Sequence, residues 1–224
     1  KDIYINILSK MNILDLNDKS KITVENFKNS DIFYIDNFYK NPDMVVDFLE
    51  KQPSGFHDPG HDPDHENLNG KYFHDLRHEV CLKDMENVTV YLSKLCNRNF
   101  LFHERNRVKT NKTKFKLCKF NDYKNNFWHP HQDDGYTAII YLNKNDEECG
   151  TNLYEIISPD LDDSFGEHVT PWRDKSKWSI IKTITPKYNS CVIFDALKFY
   201  HGMNICNDKY FGDEYRLNQV VFMK

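Results

Sequence analysis

The chain has no apolar run long enough to span a bilayer and no apolar leader at its start, so the expectation is a cytoplasmic protein without a helical membrane anchor. It has no Cys-x-x-Cys pair either. Its six cysteines, Cys81, Cys96, Cys118, Cys149, Cys191 and Cys206, are scattered and mostly lie in apolar stretches, which reads as reduced core thiols rather than a disulfide or zinc framework. An excess of positive charge is also missing. Thirty basic against 34 acidic side chains give a net charge of −4, so no global field calls for nucleic acid. Arg105, Arg107, Lys109, Lys112, Lys114, Lys116 and Lys119 do crowd one stretch, which reads as a lysine-guarded strand edge, with a local basic patch as the alternative. Internal repeats and low-complexity segments are absent. What remains is 224 residues, which fit one domain with a substantial core, and a single domain is the expectation.

The first hundred residues read as an annex. The run Asp31-Ile32-Phe33-Tyr34-Ile35-Asp36-Asn37-Phe38-Tyr39 is a strand leading into a helix, with Asn41 placed to cap and Pro42 suited to the first turn. Met44, Val45, Phe48 and Leu49 then fall on one helical face. A second helix is expected over 84–96, with Met85, Val88, Leu92 and Leu95 forming its apolar stripe. Between the helices, residues 53–75 are rich in Pro, Gly, His and Asp and poor in aliphatics, which marks a long irregular loop and a candidate lid. His57, His61 and His65 recur there at four-residue spacing, but Pro59, Gly60 and Pro63 forbid the helix that would align them on one metal.

The core is expected over about 101–224, and from Phe115 onward the pattern changes to short β-type runs separated by polar turns. Strands are expected over 115–120, 136–142, 152–157, 178–184, 191–194 and 215–222. Pro186-Lys187-Tyr188-Asn189-Ser190 reads as the turn into the fifth of these. The segment 204–214 is hydrophilic and reads as a long loop before the last strand.

Two motifs in this half carry chemistry. His131-Gln132-Asp133 stands just before one strand, and His201 follows 70 positions later in Tyr200-His201-Gly202. Two imidazoles and one carboxylate can occupy one face of an octahedral Fe(II) and leave the opposite positions open for an oxidant and O2. Downstream, Arg216 opens the largely apolar stretch Leu217-Asn218-Gln219-Val220-Val221-Phe222, where a guanidinium requires a carboxylate partner because an isolated buried charge is costly.

On these residues the chain resembles the Fe(II)/2-oxoglutarate-dependent dioxygenases, in particular the prolyl-4-hydroxylase-like branch. The resemblance spans roughly 115–224 and its parts come in the family's order. Gly150-Thr151-Asn152-Leu153-Tyr154 resembles the family's turn after the second core strand, and Val192-Ile193-Phe194-Asp195 the run before the distal histidine. The fold it implies is mainly β with flanking helices: a double-stranded β-helix, or jelly-roll barrel, buttressed by the N-terminal helices, the whole chain forming one oxygenase domain. The resemblance makes His131, Asp133 and His201 the catalytic metal ligands and Arg216 the anchor for the distal carboxylate of 2-oxoglutarate. The family's Arg-x-Ser appears here as Arg216-Leu217-Asn218, so Asn218 takes the second polar contact. Residues two apart on a strand face the same way, which groups Arg216, Asn218, Val220 and Phe222 on one strand and Thr137, Ile139, Tyr141 and Asn143 on another. Tyr141 is thereby a third candidate for the co-substrate carboxylate.

The implied activity is hydroxylation of a C–H bond in an amino-acid, peptidyl or small-molecule substrate, with Fe(II), 2-oxoglutarate and O2 consumed to give succinate and CO2. Phe127, Trp128 and Tyr200 are candidate walls of the substrate site. No segment specifies the primary substrate. Two other readings stay open. His129 and His131 form a His-x-His pair of the kind found in cupins, although no Glu lies between His131 and Glu147, and a cupin-like enzyme would not need Arg216. A non-catalytic jelly-roll module with incidental histidines is the other.

Overall fold

The computed structural model describes residues 14–50, 73–79, 82–101, 109–115, 126–128, 130–144, 148–158, 172–211 and 214–224. The candidate lid, except for its last residues, together with His57, His61, His65 and His129, lies outside them. So does most of the strand expected over 115–120. Phe115 instead closes a strand that begins earlier, at Lys109.

Among the described residues the chain is built mainly of antiparallel β-sheet with two helices. Strands β1 (Lys21–Phe27) and β2 (Ser30–Asp36) form a hairpin. Helix α1 (Pro42–Glu50) follows, then β3 (Phe73–Glu79), α2 (Leu82–Cys96), β4 (Lys109–Phe115), β5 (Asn126–Trp128), β6 (Tyr136–Tyr141) and β7 (Thr151–Ile156). The chain finishes with β8 (Trp172–Asp174), β9 (Trp178–Ile184), β10 (Ser190–Asp195), β11 (Tyr200–Met203) and β12 (Arg216–Met223). Seven strands make one sheet in the order β1-β2-β10-β6-β12-β4-β3, three make another in the order β11-β7-β9, and β5 pairs with β8.

Period-two alternation assigns the two faces of the large sheet. One face carries Phe33, Ile35, Ala138, Ile140, Cys191, Ile193, Leu217 and Val221, buried against Val45 and Leu49 of α1 and Val88 and Leu92 of α2. The helices do flank the sheet, as their apolar stripes predict. The other face carries Ile32, Ile139, Tyr141, Val192 and Phe194, packed on Leu153 of β7 and Ile184 of β9. Strand β10 is therefore apolar at almost every position, because both of its faces are covered.

Five short strands escape the sequence reading. β1 is half exposed and polar on alternate residues, and its turn into β2 uses Lys28 and Asn29 in left-handed conformation (φ 50° and 60°) where glycine is the usual signal. β3, β5, β8 and β11 have seven residues or fewer and little apolar alternation. By contrast, the turn before β10 falls where expected. Asn189 (φ 60°) fixes it, accepting a hydrogen bond from the Tyr39 N–H through Oδ1 at 2.8 Å and donating through Nδ2 to the Tyr39 carbonyl at 3.0 Å. No helix among the described residues is long and apolar enough to cross a membrane.

Candidate functional site

His131, Asp133 and His201 come from two segments far apart in sequence, and main-chain bonds bring them together. The His131 N–H donates to the His201 carbonyl at 3.0 Å, and the His201 N–H donates back to the His131 carbonyl at 2.8 Å. The Asp133 N–H reaches the Ala196 carbonyl at 3.1 Å, and the Gly135 carbonyl accepts from Ala196 at 2.8 Å and from Leu197 at 3.0 Å. Gln132 adds a side-chain bond from Nε2 to the Leu197 carbonyl at 2.5 Å. The segment 131–135 is thus laced to the turn after β10. Gly135 (φ +109°) is required there, since a Cβ would lie 2.4 Å from the Met223 carbonyl oxygen.

The lacing sets the three side chains in one cluster, with ligand atoms all within 4.8 Å of one another. Asp133 stands between the rings: its Oδ2 is 3.2 Å from His201 Nε2 and its Oδ1 is 3.9 Å from His131 Nε2. Ligands at adjacent corners of an octahedron, with metal bonds of about 2.1 Å, lie roughly 3 Å apart. The donor set therefore fits a divalent cation after small side-chain adjustments. Burial raises the Asp133 pKa, but the hydrogen bond and charge of His201, the charge of His131 and the hydroxyl of Thr137 outweigh it and hold the carboxyl down at about 2. A carboxylate that stays ionised beside two imidazoles is suited to a dication.

Outer contacts orient these ligands. Thr137 Oγ1 donates to Asp133 Oδ2 at 2.8 Å. His201 Nδ1 faces the Phe199 carbonyl at 3.4 Å, which leaves Nε2 for a metal, and its ring meets Phe194 edge-on at 5.0 Å. The His201 side chain is 6% exposed and that of His131 33%, so the cluster opens on the His131 side.

Arg216 lies on the same sheet face as Thr137. Register pairs Asn218 with Tyr141, Val220 with Ile139 and Phe222 with Thr137, which merges the two groups of residues expected to share a face into one surface. Thr137 to Tyr141 is four residues, roughly 13 Å along β6. Arg216 is buried, with 8% of the residue exposed. Its Nε donates to the Cys149 carbonyl at 3.2 Å, Nη1 to Asn218 Oδ1 at 3.0 Å and Nη2 to the Gly150 carbonyl at 3.3 Å. All three acceptors are neutral, and no carboxylate among the described residues pairs with this cation. Among the described residues three of its five N–H donors find acceptors, which leaves one on each terminal nitrogen to take a carboxylate in a forked bond.

Tyr141 lies beneath the guanidinium, 5.8 Å from ring centroid to Cζ, while its hydroxyl shares a hydrogen bond with Thr151 Oγ1 at 2.8 Å. Asn218 engages Arg216 directly, so its role here is to aim the guanidinium. Gly150 lets the turn before β7 lie close against the end of β9, because a Cβ there would lie 2.0 Å from the Ile184 carbonyl oxygen. The candidate walls are divided. Tyr200 alternates with His201 along β11 and packs at 5.0 Å on Trp178, on the other face of the small sheet from the cluster. Phe127 rests on Tyr154 at 4.9 Å, and Trp128 packs beside Cys149, Met203 and Tyr210. The sequence reading had not singled out Thr137 as a partner of Asp133, nor the carbonyls of Cys149 and Gly150. A hydroxyl four residues after Asp133, on the strand it introduces, was the available signal for the first; main-chain carbonyls leave none. No protein-family model and no curated protein matches this chain.

Proposed function

We propose that the protein is an Fe(II)- and 2-oxoglutarate-dependent dioxygenase that hydroxylates a C–H bond of an amino-acid, peptidyl or small-molecule substrate. The observation that carries this reading is the pairing, on one sheet face, of a two-His, one-Asp cluster with a buried arginine whose remaining donors are free of any described carboxylate. The large and small sheets packed face to face, with helices on the outer side, suit a jelly-roll in a single oxygenase domain.

In this reading His131, Asp133 and His201 hold Fe(II), with Thr137 fixing the carboxylate and the Phe199 carbonyl fixing the His201 ring. Arg216, aimed by Asn218 and the two carbonyls, takes the far carboxylate of 2-oxoglutarate, and the Tyr141 ring forms the floor beneath it. Ile139, Val192 and Leu153 keep the space between the sheets apolar, which strengthens the charge pairing at both ends. When bound, Fe(II) with 2-oxoglutarate and O2 supplies the oxidising chemistry that inserts oxygen into the substrate and releases succinate and CO2. The more exposed His131 side is the way in for the substrate.

Anaerobic titration with Fe(II) and then 2-oxoglutarate, followed by the visible absorption of the chelate, tests both halves. The wild type should develop the band. Arg216→Ala should keep Fe(II) affinity and lose about 100-fold or more in 2-oxoglutarate affinity, the cost of a forked, charge-assisted bond in a buried site. A chelate band with unchanged 2-oxoglutarate affinity in that variant would remove Arg216 from the assignment. Unaltered metal binding after His131→Ala, Asp133→Ala and His201→Ala would overturn the reading altogether.

A further inference from the structure

Beside the arginine, a second group has no role in the chemistry above. Cys149, fully buried in the turn before β7, and Cys206, exposed in the loop after β11, place their Sγ atoms 3.3 Å apart although 57 positions separate them. The two segments are already zipped around them. Asn204 donates from its N–H to the Gly150 carbonyl and from Nδ2 to the Glu148 carbonyl, both at 3.0 Å, and Asn207 Nδ2 donates to Glu148 Oε2 at 2.7 Å. Tyr210, 1% exposed, anchors the loop against Cys149 and Met203.

We propose that Cys149 and Cys206 are a reversible oxidation site, joined as a disulfide that staples the 148–150 turn to the 204–207 loop. A sulfur pair at 3.3 Å needs to close by only about 1.3 Å to reach bonding distance, and both cysteines sit in irregular segments able to give that much. A peroxide serves as oxidant. The exposed Cys206 sulfur attacks the O–O bond, becomes a sulfenic acid and releases one water; the Cys149 sulfur then displaces the hydroxyl as a second water, so that two thiols and one hydrogen peroxide give one disulfide and two waters. A small dithiol reverses it. Glu148, whose Oε2 lies 4.0 Å from Cys206 Sγ, is placed to take the thiol proton. The inference rests on the two sulfurs and their loops and stands apart from the dioxygenase reading. Its structural reach is nevertheless to Arg216, because the stapled turn carries both carbonyls that hold the guanidinium.

The test uses the wild-type chain, oxidised with equimolar hydrogen peroxide under native conditions, alkylated, digested and mapped by mass spectrometry. The expected product is a Cys149–Cys206 linked peptide, lighter than its two reduced components by two hydrogen atoms and lost on treatment with dithiothreitol. The thermal midpoint of the oxidised protein should rise by several degrees, as a cross-link across a long loop predicts, and Cys206→Ser should show no such rise. Separate alkylation of both cysteines, or recovery of Cys206 as sulfinic acid or bonded to another cysteine, would overturn the proposal.

Discussion

At the residue scale, the candidate metal ligands depend on a neighbour outside the cluster, Thr137. Thr137 is buried, and its hydroxyl holds the Asp133 oxygen that faces His201. Thr137→Val keeps shape and volume and removes only that bond. Fe(II) affinity should then fall about 10- to 100-fold while the fold is retained, as read by anaerobic titration and circular dichroism. His131, Asp133 and His201 were legible as a candidate set by residue type and order, and the structure brings them into one cluster. Arg216 was legible as a charge out of place in an apolar strand, and its expected need for a carboxylate is met by no described residue. What neighbouring elements contribute, such as the Phe199 carbonyl beside His201 or the Cys149 carbonyl beside Arg216, carries no side-chain signature and emerges only from the pairing of strands.

At the scale of elements, the joint between Asp133 and β6 decides whether the cluster forms. Gly135 has a left-handed φ and lies against the Met223 carbonyl, while its own carbonyl binds the two amides after β10. Gly135→Ala should cost about 1–3 kcal/mol in urea unfolding and weaken metal binding in the folded fraction, because relief of the clash moves the segment that carries Asp133. The strands that frame this joint, β6, β10 and β12, could be read from their short, largely apolar runs, since both faces of each are largely covered. β1 and β11 could not. The first is an edge strand with an exposed face, and the second is a four-residue strand whose His201 and Gly202 break the pattern of a strand-former.

At the scale of the whole molecule, the large sheet separates two tasks. Its helix-covered face holds most of the aliphatic core, and its other face carries the candidate chemistry. Leu92, fully buried under the sheet, belongs to the first. Leu92→Ala should therefore lower unfolding free energy by about 2–5 kcal/mol in denaturant titration yet leave the Fe(II) affinity of folded protein within a factor of two or so. Mainly-β architecture with flanking helices was legible because helix and strand periodicities occupy different parts of the chain. The division of strands between sheets was not, because it depends on pairings between segments as distant as β2 and β10.

The reciprocal main-chain bonds between His131 and His201 have an energetic corollary. They close the cluster largely through backbone, so the socket is cut before any plug arrives. A cation entering it has no chain to fold, and its binding free energy goes into occupancy. The metal-free protein should accordingly unfold cooperatively, with slow hydrogen exchange at the amides of both histidines. Added metal should stabilise it only by mass action, about 2.7 kcal/mol at a free concentration one hundred times Kd. On the proposed reading such a site could be stripped and refilled in place, and a chelator should remove the metal without denaturing the protein.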